Sequence, residues 1–222
     1  MTDLFNIENW KAIVTGGTRG LGYGMAEGLL ESGAEVVIFG TSDKVEQVAA
    51  DFCGKGYRCH GLKVNLANAE ERETGFHQAV ELLGGLDIIV NAAGIQRRHP
   101  CQDFPKTDWD EVIEVNLTAP FVLSQLAAKE FLKKERPYGK IINIASMLTF
   151  FGGQTVPAYA AAKGGVAQFS KGMCNELAGQ GININCIAPG YMDTEMNTAL
   201  TDPSNPRFQE ITNRIPAHRW GT

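Results

Sequence analysis

Short runs of apolar, branch-rich residues recur along the chain at 11–15, 35–39, 57–64, 86–91, 140–145 and 183–188, each of strand length. Most of them are long enough and apolar enough for a strand buried on both faces, as in a parallel sheet. Between them, apolar positions return at helical spacing over 22–31, 44–53, 69–83, 109–135 and 159–177. A crossover of helical length after each strand is what parallel pairing demands. The pattern predicts a single α/β domain over residues 1–222, a doubly wound parallel sheet with helices on both faces. Ligands of such sheets bind beyond the carboxyl ends of the strands, so the chemistry is expected in the loops that follow them. From Tyr191 the rhythm breaks into a stretch rich in Pro, Asn, Thr and Asp, predicting a flap over that edge at about 190–215.

Composition narrows the classes without choosing among them. A hydrophobic fraction of 44% in 222 residues supports one sizeable core, and a formal charge of -5 gives no basic footprint for nucleic acid. The five cysteines, Cys53, Cys59, Cys101, Cys174 and Cys186, are scattered and include no C-x-x-C pair, so neither a disulfide framework nor a metal site is expected. Met1 is followed almost directly by the first strand, and no apolar run is long enough to cross a bilayer; a cytoplasmic protein without membrane contact is expected.

The first strand ends in Thr15-Gly16-Gly17-Thr18-Arg19-Gly20-Leu21-Gly22 and runs straight into a helix. Glycines there permit a tight turn and close approach of a pyrophosphate, while the helix N-terminus aims unpaired N–H groups at its charge. Taken alone, the turn is as compatible with an ordinary strand-to-helix connection. The spacing T-G-x-x-x-G-x-G resembles that of the short-chain dehydrogenase/reductase family, and Asn91-Ala92-Ala93-Gly94 resembles that family's N-N-A-G turn, with Ala92 as a departure. Ser146 after the fifth strand, then Tyr159 and Lys163 four residues apart on one helical face, extend the likeness, as do Asn116 and Pro189-Gly190. Singly, these residues read as a strand-end hydroxyl and a surface pair; in this order they point to catalysis.

The resemblance implies a Rossmann-type fold, an NAD(P) cofactor, and hydride transfer between a nicotinamide and a secondary alcohol or ketone. It implies Ser146 as the group that orients the substrate oxygen, Tyr159 as the general acid/base, Lys163 as its tuner and a ribose ligand, and Asn116 as the holder of a water linked to Lys163. An adjacent ammonium is expected to lower the phenol's pKa. The same resemblance places the cofactor against Gly16, Thr18, Arg19, Gly20, Leu21, Gly22, Thr41, Ser42, Asn65, Leu66, Asn91, Ala92, Gly94, Tyr159, Lys163, Pro189, Gly190, Met192 and Thr194. The second strand ends in Phe39-Gly40-Thr41-Ser42 with no carboxylate to take the ribose hydroxyls, and Arg19 is suited to a 2'-phosphate, so NADP is favoured over NAD.

Gln96-Arg97-Arg98, Ile144–Leu148, Gly152–Pro157 and Ile215–Gly221 are similar to the family's sugar-acid branch, which acts at carbon five of gluconate or its 2-dehydro-3-deoxy form. Arg97 and Arg98 are candidate carboxylate anchors and Gln154 a candidate hydroxyl ligand, besides Ser146 and Tyr159; each is equally readable as a solvated or loop-capping residue. Tyr191, Met192, Thr194 and Met196 are candidate flap contacts, and Arg219 and Trp220 are expected to stabilise a turn and a subunit contact. Members of the family usually continue past the R-W-G turn into a helix and a last strand and form homotetramers. The chain stops at Thr222, so a truncated or incompletely represented C-terminus is expected, with an unpaired sheet edge. Other readings are a 3-oxoacyl or polyol reductase, or a dinucleotide-binding regulatory protein without turnover, which the intact Ser146, Tyr159 and Lys163 disfavour.

Overall fold

The computed structural model describes residues 6–221, without the side chains of Met196 and Ala199. Six parallel strands, β1 (Lys11–Thr15), β2 (Glu35–Gly40), β3 (Cys59–Lys63), β4 (Ile88–Asn91), β5 (Gly139–Ile144) and β6 (Ile182–Ile187), form one sheet in the order β3-β2-β1-β4-β5-β6. The order reverses between β1 and β4, which places the loops after these two strands side by side at the carboxyl edge.

Each central strand is apolar on both faces because each face is covered. Ile13, Val37, Phe39, Ile89 and Ile141 pack into one core with Phe76 and Ala79 of α3 (Ala69–Leu83) and Leu123 and Phe131 of a helix over Ala119–Leu132. Ala12, Val14, Val36, Ile38 and Val90 pack into a second core with Leu30 of α1 (Gly20–Glu31) and Phe52 of α2 (Lys44–Gly54). Alternate residues of one strand therefore serve opposite cores. The expected doubly wound α/β sheet is what forms, and strand and helix bounds agree to within a few residues.

The helix expected at 109–135 is instead three elements. α4 (Lys106–Ile113) passes into a π-turn at Glu114–Thr118 and then into α5 (Ala119–Leu132). The π-turn turns Asn116 inward, where its amide satisfies both backbone groups of Ile95: Nδ2 donates to the carbonyl and the N–H donates to Oδ1, each at 2.8 Å. A short helix, α6 (Leu148–Phe151), precedes α7 (Pro157–Leu177), and α8 (Thr198–Thr201) and α9 (Pro206–Arg214) follow β6.

The flap is organised by the R-W-G turn. Trp220 is buried against Leu200, Ile211, Tyr191 and Phe208, and its Nε1 donates to Thr212 Oγ1 at 3.1 Å. Asp193 N donates to the Gly221 carbonyl at 2.8 Å, and Gly221 N to the Tyr191 carbonyl at 2.9 Å. Trp220 thus anchors a small third core within the chain, beyond the turn-stabilising role expected of it. Among the described residues, no helix is long and apolar enough to cross a membrane, and no group of three or more acidic, histidine or cysteine side chains is placed to hold a metal.

Candidate active site

Two cavities open at the carboxyl edge of the sheet and share a wall. The first, of about 430 Å³, is lined by Gly16, Thr18, Arg19, Gly20, Leu21 and Gly22 of the glycine turn. Thr41, Asn65, Leu66, Ala92, Gly94, Pro189, Gly190, Met192 and Thr194 also line it, as do Ser146, Tyr159 and Lys163. Its floor is too close for side chains: a Cβ on Gly22 would lie 2.3 Å from the Gly16 carbonyl oxygen. Gly16 itself has φ +68, and a Cβ there would meet Ala93 Cα at 2.8 Å. Thr15 Oγ1 accepts from Ala93 N at 3.1 Å, tying the loops after β1 and β4 together. A backbone cradle at the start of α1, cleared of side chains and opening into a cavity bordered by the loops after all six strands, fits a dinucleotide.

Two residues expected against the cofactor do not line this cavity. Asn91 is buried inside the sheet, where its Nδ2 donates to Asn143 Oδ1 at 2.7 Å and Ser124 Oγ at 3.1 Å, so it braces β4 against β5 and α5. Ser42 lies past the rim that Thr41 provides. Asn65 does line the cavity, but its Oδ1 already accepts from Ala67 N at 3.1 Å, closing its own turn. Arg19 is exposed and meets Glu195 of the flap at 3.3 Å. Asp43, the nearest carboxylate after β2, turns away to Lys63 at 2.7 Å.

The expected catalytic side chains converge. Ser146 stands two residues beyond β5, in a loop held by Ala145 N donating to the Ile187 carbonyl (2.8 Å) and Met147 N to the Pro189 carbonyl (3.1 Å). Tyr159 and Lys163, one turn apart on α7, face the same space, and Lys163 Nζ lies 5.7 Å from the Tyr159 ring centre. A Cβ on Gly94 would fall 3.3 Å from Asn116 Oδ1 and 3.9 Å from Lys163 Nζ, so the backbone at Gly94 runs close against both groups.

Burial sets the protonation states. Lys163 is almost wholly enclosed, which pulls its pKa down to about 8, and its Nζ donates to the Ile144 carbonyl at 2.6 Å. The Tyr159 phenol is raised above its ordinary value by loss of water, and a hydrogen bond with Ser146 offsets part of that rise. The lowering expected from the Lys163 ammonium is not found in this arrangement: Nζ donates to the Ile144 carbonyl, and desolvation of the phenol dominates. A protonated phenol beside a hydroxyl can donate to a carbonyl oxygen without first being charged.

The second cavity, of about 400 Å³, shares Ser146, Tyr159, Pro189, Gly190 and Asn197 with the first. Arg98 and Gln154 line it, as expected of substrate ligands. Arg97 does not: its guanidinium turns the other way and pairs with Glu111 at 2.8 Å. Sequence reasoning missed Arg207 and Arg214 of α9, which also line this cavity, and Asn197, which borders both. Residues 207, 211 and 214 follow a helical repeat that marks one face of α9, but only the packing of Ile211 onto Trp220 says which way that face turns.

The short chain dehydrogenase family matches residues 11–205. Across 98% of its length the chain is 43% identical to 2-dehydro-3-deoxy-D-gluconate 5-dehydrogenase of Escherichia coli (strain K12), of which it covers 85%. It is 38% identical over its full length to 5-keto-D-gluconate 5-reductase of the same strain, covering 86% of that protein. Among solved structures, a gluconate 5-dehydrogenase from Burkholderia cenocepacia J2315 in complex with NADP and tartrate superposes with a TM-score of 0.91 at 37% identity, over 98% of this chain and 84% of that one. Family match, identity along nearly the whole chain and backbone agreement coincide, and the chain belongs to the short chain dehydrogenase family of NAD(P)-dependent oxidoreductases.

Proposed function

We propose that the chain is an NADP-dependent oxidoreductase acting at carbon five of an open-chain sugar acid of the gluconate or 2-dehydro-3-deoxy-gluconate type. One observation carries the reading: Ser146 and Tyr159 stand on the wall common to the cavity over the glycine cradle and a second cavity whose lining, among the described residues, holds arginines and no carboxylate. The activities for which the relatives are named, and the NADP and tartrate bound to the Burkholderia enzyme, support the substrate class and the cofactor. So does the end of β2, where Asp43 is engaged with Lys63 and Arg19 needs only to leave an exposed glutamate to meet a 2'-phosphate.

When bound, the cofactor supplies or accepts the hydride. Tyr159 gives its proton to the substrate oxygen in reduction and takes it back in oxidation, and the Ser146 hydroxyl donates to the same oxygen as charge develops there. Lys163 holds the ribose side of the cavity and supplies positive charge beneath the phenol. Asn116 holds the backbone at Ile95, beside Gly94, and so fixes the floor under both groups.

We also propose a cytoplasmic homotetramer. The exposed Phe121, set edge-on against Phe169 of α7 at 5.6 Å, and the exposed Leu132 support assembly through α5 and α7; light scattering showing a monomer at working concentration would remove that part. The test of the activity is oxidation of NADPH and NADH with 5-ketogluconate and with a neutral ketose of equal length. Turnover favouring NADPH and the acid is expected; equal turnover of acid and neutral ketose contradicts the substrate reading.

A further inference from the structure

The second cavity carries more positive charge than the loop after β4 supplies. Arg98 belongs to that loop, and Arg207 and Arg214 reach the same space from α9, while no Asp or Glu is among the lining residues. The arginines that are ion-paired among the described residues are Arg19, Arg58, Arg72 and Arg97, so Arg98 and Arg207 keep their charge for something else. Arg98 Nη2 donates to Gln96 Oε1 at 2.9 Å.

The placement of Arg207 is built, not incidental. It sits in the first turn of α9, capped by Asn205 Oδ1 accepting from the Arg207 N–H at 2.9 Å. Ile211, four residues on, is buried against Trp220 and Leu200, which fixes the rotation of the helix and turns residues 207, 211 and 214 toward the cavity. Of the three arginines, Arg98 and Arg207 repel each other across this space: the Arg98 pKa is held below its ordinary value by loss of water against the cavity wall and then by Arg207. A carboxylate between them relieves both penalties, each fork taking up oxygen lone pairs that the other leaves free.

We propose that Arg207 is a second anchor for the substrate carboxylate, completing with Arg98 a clamp that joins the sheet edge to the flap helix and makes an acid terminus a condition of productive binding. The proposal rests on the sugar-acid reading above and goes beyond it by assigning specificity to a residue of α9. A neutral end group offers the two guanidinium groups no counter-charge, so discrimination is the difference in affinity between the acid and its neutral analogue.

The test compares gluconate with gluconamide, which differ only in the charge of the end group, in NADP reduction by the wild type, Arg207→Gln and Arg207→Lys. A charge-assisted hydrogen bond lost at this position should raise the KM for gluconate about tenfold or more in Arg207→Gln, with kcat changed about twofold at most. KM for gluconamide and NADP affinity should stay level, and Arg207→Lys should recover part of the loss. Unaltered unfolding midpoints in both variants separate this from damage to the flap. If Arg207→Gln keeps the wild-type preference for gluconate, or weakens both substrates alike, the clamp is wrong while the sugar-acid reading stands. If the wild type itself does not prefer gluconate, both fail together.

Discussion

Lys163 brings an ammonium into a nearly enclosed place. Burial holds its pKa at about 8 against an ordinary 10.5, so the charge it carries at neutral pH costs stability on the order of 3 kcal/mol. Between those two values the unfolded chain binds the proton and the folded chain does not. The cost is therefore present in full below pH 8 and is shed as pH rises toward 10.5. Lys163→Met should accordingly gain stability relative to the wild type at pH 7 and lose that gain at pH 10, measured by denaturant unfolding, while turnover falls by about 10² or more. A stability difference that does not change with pH would show that the ammonium is not desolvated. Ser146, Tyr159 and Lys163 were legible in the sequence because their side-chain chemistry and order carry the signal. The choice between Arg97 and Arg98 was not, since adjacent residues in an extended loop point opposite ways and Glu111, far along the chain, claims the first of them. Arg207 was illegible for a related reason: its direction is set by a tryptophan thirteen residues later.

The glycine turn and α1 show how an element is specified by what it excludes. A Cβ at Gly22 collides with the Gly16 carbonyl, whereas one at Gly24, two residues on and exposed, meets nothing within 4 Å. Gly22→Ala should destabilise the fold by about 2 kcal/mol and weaken NADP binding, because the turn must open to accept the methyl group. Gly24→Ala should instead stabilise by up to about 1 kcal/mol through helix propensity, with NADP binding unchanged. Thermal unfolding and cofactor titration of the two variants check this, and equal behaviour would contradict the cradle geometry. The glycine turn could be read in advance because its spacing is local. The π-turn at Glu114–Thr118 could not, since a continuous helical period runs through 109–135 and what favours the wider turn is the pairing of Asn116 with Ile95 across the fold. The flap was legible as a break in rhythm, but its internal order depends on Trp220.

At the scale of the molecule, the reversal of strand order between β1 and β4 creates the crevice, and the loops after all six strands contribute to its lining. This much follows from strand and helix periodicity with the handedness of crossovers, and it was expected. The division of the crevice into two cavities meeting at Ser146 and Tyr159 was not, because it depends on α9 and the flap closing one side. That shared wall is the centre of the functional reading: one face takes the dinucleotide, the other an acid, and the phenol between them moves the proton. The measurement that bears on it most directly is NADPH consumption with 5-ketogluconate by the wild type and Tyr159→Phe, with NADPH binding titrated in both. Loss of turnover by about 10² or more with binding intact is the predicted result, since the variant removes only the hydroxyl. Turnover within a few-fold of the wild type would contradict it, and would move the proton transfer to another group.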